Sequence, residues 1–169
     1  FRSGARDGTC LSAAQKRVIA KRFSGETNSR GAAFYSSWPF DAGIGLGNSE
    51  FWYVTSPPKL DAGALAFIWE VPPQKPAGFV GRTFALTTSI DSILAKIRAT
   101  NATYTESALA FMTPPNPSDL SVLRQRGAKV MVYHGTSDPI FSFNDTVNWY
   151  ESLAAANHGN ASNFARLYA

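Results

Sequence analysis

The sequence predicts an α/β fold carried by a parallel βαβ unit, and three features near its end point to that class. Val130-Met131-Val132-Tyr133 is the continuous apolar run expected of a strand covered on both faces, as in a parallel sheet. Phe143 to Ala156 reads as a helix opened by Ser142, with Asp145 three residues on at capping-box spacing. Phe164 to Ala169 reads as a second strand after a turn at Gly159. Strand, helix and strand make one βαβ unit. A parallel sheet needs neighbours for its strands, so the chain is expected to be the final third of a larger α/β domain that stops inside its last strand.

The elements ahead of this unit follow from local chemistry. Ser12 followed by Gln15 is a capping box, Leu11 to Phe23 has helical periodicity, and Gly25 is placed to end the helix in a left-handed residue. Lys16, Arg17, Lys21 and Arg22 then fall opposite Val18, Ile19 and Phe23, on what should be the solvated face. From Gly31 to Gly81 the pattern dissolves into Gly, Pro and aromatic residues without a helical period, which predicts short strands and packed loops. Thr88 to Arg98 repeats Ile90, Ile93, Leu94 and Ile97 on one helix face, and a shorter helix is expected over Glu106 to Met112, stopped by Pro114 and Pro115. Asn116-Pro117 makes a turn leading to Ser118 as N-cap of a short helix that buries Leu120 and Leu123 and ends at Gly127. The strand from Ala128 to His134 is then terminated by Gly135 and Pro139.

Composition narrows the function classes. With 44% apolar and 13% aromatic residues in 169, the chain is neither disordered nor fibrous. Its apolar stretches are far shorter than the roughly 18 residues that span a bilayer, and Phe1-Arg2-Ser3-Gly4 does not open a signal peptide. The net charge of +4 invites a nucleic-acid reading, but the basic residues of the first helix fit an ordinary solvated face and no aromatic platform accompanies them. No nucleic acid and no membrane are expected as partners. Cys10 is the single cysteine, either a buried free thiol or one whose partner lies on other sequence.

The residue that points to chemistry is Asp138. Function in open α/β sheets gathers at the carboxyl ends of strands, which is where the loop after Tyr133 puts this carboxylate. The structural alternative is an Asx-type turn, since Asp-Pro commonly opens loops. Asp145 competes for the role, but a place in the first turn of a helix is sufficient reason for it. His134 reads as a satisfied structural histidine and His158, beside Gly159, as an exposed one. Ser137 and Ser142 lack the flanking glycines of a nucleophile elbow.

Several stretches together resemble the tannase and feruloyl esterase family of α/β-hydrolases: Cys10-Leu11-Ser12 to Gln15, Asn116-Pro117 to Asp119-Leu120, Gly127 to Asp138, Trp149-Tyr150 and Arg166-Leu167-Tyr168. The run HGTSDPIFS is the most specific piece and is similar to the branch that hydrolyses terephthalate esters. The resemblance implies a C-terminal part of an α/β-hydrolase with an aromatic-rich lid insertion, and three regions. Residues 1–30 would link hydrolase core and lid, 31–115 would form part of the lid, and 116–169 would be the truncated C-terminal part of the core. In such enzymes a serine attacks the ester carbonyl, a histidine takes its proton, and an aspartate after a late strand orients the histidine. Asp138 falls at that aspartate. Phe141 falls at a position facing the aromatic acid, and Trp52 is a substrate-binding candidate from composition alone.

The sequence also departs from the family. It contains no Gly-x-Ser-x-Gly elbow, and Ala169 precedes the segment expected to bring the catalytic histidine. The nucleophile and that histidine are therefore expected outside these residues, as are any calcium-binding lid loop and the partner of Cys10, which leaves no cofactor or metal site to assign here. The expected function is that of a portion of a secreted or periplasmic serine carboxylic-ester hydrolase for feruloyl, galloyl or terephthaloyl esters. Its partners would be the aromatic ester and the rest of the hydrolase domain. The rival is a non-catalytic module binding phenolics or polysaccharide, in which the aromatics form a binding surface. A hydrolase of peptides or lactones on the same fold is a third reading.

Overall fold

A computed structural model describes residues 10–45 and 47–169; the opening Phe1-Arg2-Ser3-Gly4 lies outside the described residues. Helix α1 spans Ala13–Phe23. Its capping box forms as the spacing requires: Gln15 N–H donates to Ser12 Oγ and Ser12 N–H donates to Gln15 Oε1. Gly25, at φ 79°, turns the chain after the helix, and a Cβ there would meet the Tyr35 carbonyl at 2.7 Å.

The stretch expected to hold short strands and packed loops is irregular over 31–41 and 70–80 but helical over 51–69, where strands were expected. Phe51–Thr55, Pro57–Asp61 and Leu65–Trp69 are π-helical turns, joined by Ser56 and by the short α2, Ala62–Ala64. The N–H groups of Ser56, Ala62 and Glu70 donate to carbonyls five residues back, on Phe51, Pro57 and Leu65. Such wide turns bring residues five apart together, as in the Ser56 Oγ to Asp61 Oδ1 bond of 2.8 Å, so a 3.6-residue period misses them. Pro57 and Pro58 sit in the first turn of their segment. Helix α3, Gly81–Thr87, was also not foreseen. Gly81 has no side chain to hold it off the Pro58 carbonyl, which lets α3 pack against the π-helical segment.

Helices α4 (Ile90–Lys96), α5 (Ala108–Met112) and α6 (Ser121–Gln125) follow within the predicted stretches. The N-cap of α6 is Leu120 rather than Ser118, and Asp119 Oδ1 accepts the Ser121 N–H at 3.0 Å. Asp119 thereby makes an Asx-type turn, its short side chain reaching an amide two residues ahead. Strand β1 (Val130–Tyr133), α7 (Phe143–Ala156) and β2 (Ala165–Tyr168) form the predicted βαβ unit, with β1 parallel to β2 and Val130 opposite Ala165.

Two clusters hold the fold together. One gathers Leu153, Ala161, Phe164 and Ala165 beneath the two strands, with Leu120, Leu123 and Val130 against it; the other gathers Ala62, Ala66 and Phe84, with Leu65, Phe79 and Ile93. The strand expected to be covered on both faces is covered on one: Met131 is 71% and Tyr133 82% exposed, whereas Val130 and Val132 are half-buried and Val130 packs against the Leu153 cluster. The apolar sequence of β1 suits a wider, two-sided sheet than the pair of strands present among the described residues.

Candidate active site

Strand β1 runs into the loop 134–142, and this loop collects the chemistry. Asp138 Oδ1 accepts two backbone N–H groups, from Ile140 at 2.8 Å and Phe141 at 2.9 Å. The turn reading of Asp138 is therefore realised, through one oxygen only. The other, Oδ2, lies 3.5 Å from Nε2 of His134, and the side chain remains 31% exposed. The carboxylate is thus fixed through Oδ1 while Oδ2 faces the His134 ring on a part-exposed side chain, a geometry compatible both with a loop brace and with holding an imidazole.

His134 has neighbours at both ring nitrogens, since Nδ1 lies 2.7 Å from Thr146 Oγ1 on α7 while the ring meets Phe143 edge to face. His158 is exposed, at φ 59°. Ser142 does not form the anticipated reciprocal box with Asp145: its Oγ accepts the Asn144 N–H at 3.0 Å, but Asp145 accepts Ser36 Oγ at 2.8 Å instead. A hydroxyl from a distant segment competes for the carboxylate more directly than the N-cap amide, which itself donates to Tyr35 Oη at 3.1 Å.

The loop is held from outside by residues 22–41. Arg22 donates to the Pro139 carbonyl at 2.9 Å, and its guanidinium lies over Trp38 at 4.3 Å and Tyr53 at 4.7 Å. Arg22 thus leaves the solvated face expected for it, and Val18 and Ile19 are exposed, whereas Lys16, Arg17 and Lys21 are exposed and Phe23 is buried as expected. A flat cation between two rings recovers more than a water-exposed one, which draws Arg22 inward. Ser142 Oγ donates to the Ser37 carbonyl at 2.5 Å. Asp41 accepts Thr136 Oγ1 and Ser137 Oγ, each at 2.5 Å, and the Gly43 N–H at 2.8 Å. These donors hold the Asp41 carboxyl down at about 2, below its ordinary 3.8. Burial pushes the phenols of Tyr35 and Tyr53 up.

Trp52 lines a cavity of about 360 Å³ with Arg22, Trp38, Tyr53, Pro139 and Ile140 among its walls. Phe141, 64% exposed, is not among that cavity's walls, so the two aromatic candidates flank the Asp138 loop without sharing one pocket. Sequence reasoning missed Arg22, Tyr35, Ser37 and Asp41, because nothing local in their neighbourhoods signals a partner roughly a hundred positions away. Among the described residues no group of three or more His, Cys, Asp or Glu could hold a metal ion, and no helix is long and apolar enough to cross a membrane. Cys10 is exposed, against the buried reading.

No protein-family model matches the chain. It is 33% identical, over 184 aligned positions, to mono(2-hydroxyethyl) terephthalate hydrolase of Piscinibacter sakaiensis; the match takes in 98% of this chain and 30% of that protein. The chain is thus a distant homologue of a hydrolase named for an aromatic ester, and it spans under a third of that relative's length.

Proposed function

We propose that this chain carries the acid-bearing arm and part of the aromatic lid of a serine carboxylic-ester hydrolase acting on feruloyl, galloyl or terephthaloyl type esters. Asp138 accepts the imidazole N–H of a histidine supplied, like the serine, by polypeptide outside these residues; Phe141 and Trp52 contact the aromatic acyl group. The observation that carries this reading is the split role of Asp138: one oxygen is locked by two amides and the other is half-open at the carboxyl end of β1. The similarity to a terephthalate-ester hydrolase supports the substrate class.

In acyl transfer such a carboxylate fixes the histidine tautomer and stabilises the imidazolium formed when the serine gives up its proton. The Ile140 and Phe141 amides keep Asp138 from rotating away while it does so. His134 Nε2 stands where a second imidazole partner of Oδ2 would, so His134 either yields that oxygen or shares it. The 169 residues alone are expected to show no ester turnover, because no nucleophile elbow is present in them.

The test is Asp138→Asn in a longer polypeptide with the serine and histidine. Turnover of an aromatic ester should fall by about 10⁴, the loss seen when a triad aspartate becomes an amide. Undiminished turnover would refute the assignment. Tight binding of ferulate-type acids by the chain, with no hydrolysis from any longer form, would favour the binding-module reading instead.

A further inference from the structure

Asp41 lies outside every expectation drawn from sequence, yet two of its hydrogen bonds reach the Asp138 loop. Its Oδ2 accepts Thr136 Oγ1, and its Oδ1 accepts Ser137 Oγ together with the Gly43 N–H. Thr136 and Ser137 are the two residues immediately before Asp138. Downstream, Arg22 holds the Pro139 carbonyl and Tyr35 Oη accepts the Ser142 N–H. The Asp138 N–H donates to the Gly135 carbonyl at 3.1 Å, which closes the turn on itself but does not tie it to the rest of the fold. Asp41 ties the upstream half of that turn to residues 41–43.

We infer that Asp41 is a positioning residue: its carboxylate clamps Thr136 and Ser137 and thereby sets the direction in which Asp138 presents Oδ2. The inference rests on the proposed esterase role of Asp138. One observation supports it beyond the hydrogen bonds themselves. Gly43 packs so close to Ser137 Oγ that a Cβ there would collide with it, so the turn 41–43 is shaped to receive that hydroxyl. The same hydrogen bonds hold the Asp41 carboxyl low, so both hydroxyls meet a charged acceptor, the stronger kind. Because Trp38 lies three residues before Asp41 and walls the cavity beside Pro139, the clamp ties an aromatic wall and the acid into one unit.

The experiment compares Asp41→Ala and Asp41→Asn with the unaltered protein, by two readouts. Hydrogen exchange on the 169-residue chain reports the Ile140 and Phe141 amides that Asp138 Oδ1 holds. In Asp41→Ala these should exchange at least ~10-fold faster while amides of α7 near Leu153 keep their rates, showing that the fold is intact. Ester turnover in the longer polypeptide should lose ~10- to 100-fold in kcat with KM unchanged, the cost of a misplaced catalytic group. Asp41→Asn retains one acceptor oxygen and should recover part of both losses. Unaltered exchange at Ile140 and Phe141 in Asp41→Ala overturns the inference, as does an unchanged kcat in an active enzyme. If the unaltered longer polypeptide does not hydrolyse esters, the esterase reading fails on its own and exchange alone decides the clamp.

Discussion

Replacing Arg22 by Ala should destabilise the 169-residue chain by about 2–3 kcal/mol. The side chain gives a charged donor to the Pro139 carbonyl at 2.9 Å, a bond of the kind worth about 1.5–3 kcal/mol. It also lies over two rings, Trp38 and Tyr53, at about 0.5–1 kcal/mol each for sites that keep some contact with water. Partial exposure of Arg22 and the water bonds available to the freed carbonyl bring the net effect to the foot of the summed range of about 2.5–5 kcal/mol or slightly below it. With a urea slope of about 2 kcal/mol/M, the unfolding midpoint should fall by roughly 1–1.5 M, followed by tryptophan fluorescence. Arg22→Lys keeps the charge but loses the flat stack and should recover about half of the loss. Arg17→Ala, on the same helix but exposed, should stay within about 0.5 kcal/mol. If Arg22→Ala behaves like Arg17→Ala, the guanidinium is a surface charge and its hold on the Pro139 carbonyl contributes nothing.

Leu153 is fully buried at the centre of the cluster under β1 and β2, so Leu153→Ala should cost about 2–5 kcal/mol by urea unfolding; a loss under 1 would mean the cluster is not a packed core. Ser142 is buried, caps the Asn144 N–H and donates to the Ser37 carbonyl, so Ser142→Ala should cost about 1–2 kcal/mol by urea unfolding. The folded-state pKa of Asp41 lies below its unfolded value, so its ionisation stabilises the fold fully above about pH 4 and ceases to do so as pH falls through about 2. The difference in urea midpoint between the unaltered chain and Asp41→Asn should therefore be constant from about pH 7 to 4 and shrink towards pH 2; a difference that grows on acidification would reverse the assignment.

Some features were legible in the sequence because a few adjacent residues decide them. The capping box of Ser12 and Gln15, the left-handed glycines 25 and 127, and the separate strand, helix and strand between Val130 and Tyr168 each follow from residue patterns within a few turns of chain. The π-helical turns were not legible, because their hydrogen bonds reach one residue further than the period used to search for helices. Residues 88–98 were foreseen as helical because their apolar residues recur at the ordinary period, and α4 occupies Ile90–Lys96 within them.

The sequence by itself determined that a carboxylate, Asp138, leaves the end of a strand in a loop that Gly135 and Pro139 prevent from extending the sheet. Only the tertiary structure decided how that carboxylate is held. Asp41 and Thr136 are 95 positions apart, and Arg22 and Pro139 are 117 apart, so no local spacing rule links them. The same holds for the face of β1: an apolar strand states that it can be buried on both sides, but neighbouring chain decides whether it is, and here Met131 and Tyr133 face outward. Local propensity fixes where backbone hydrogen bonds begin and end, whereas side-chain partners are chosen by which distant surfaces the fold brings within about 3 Å.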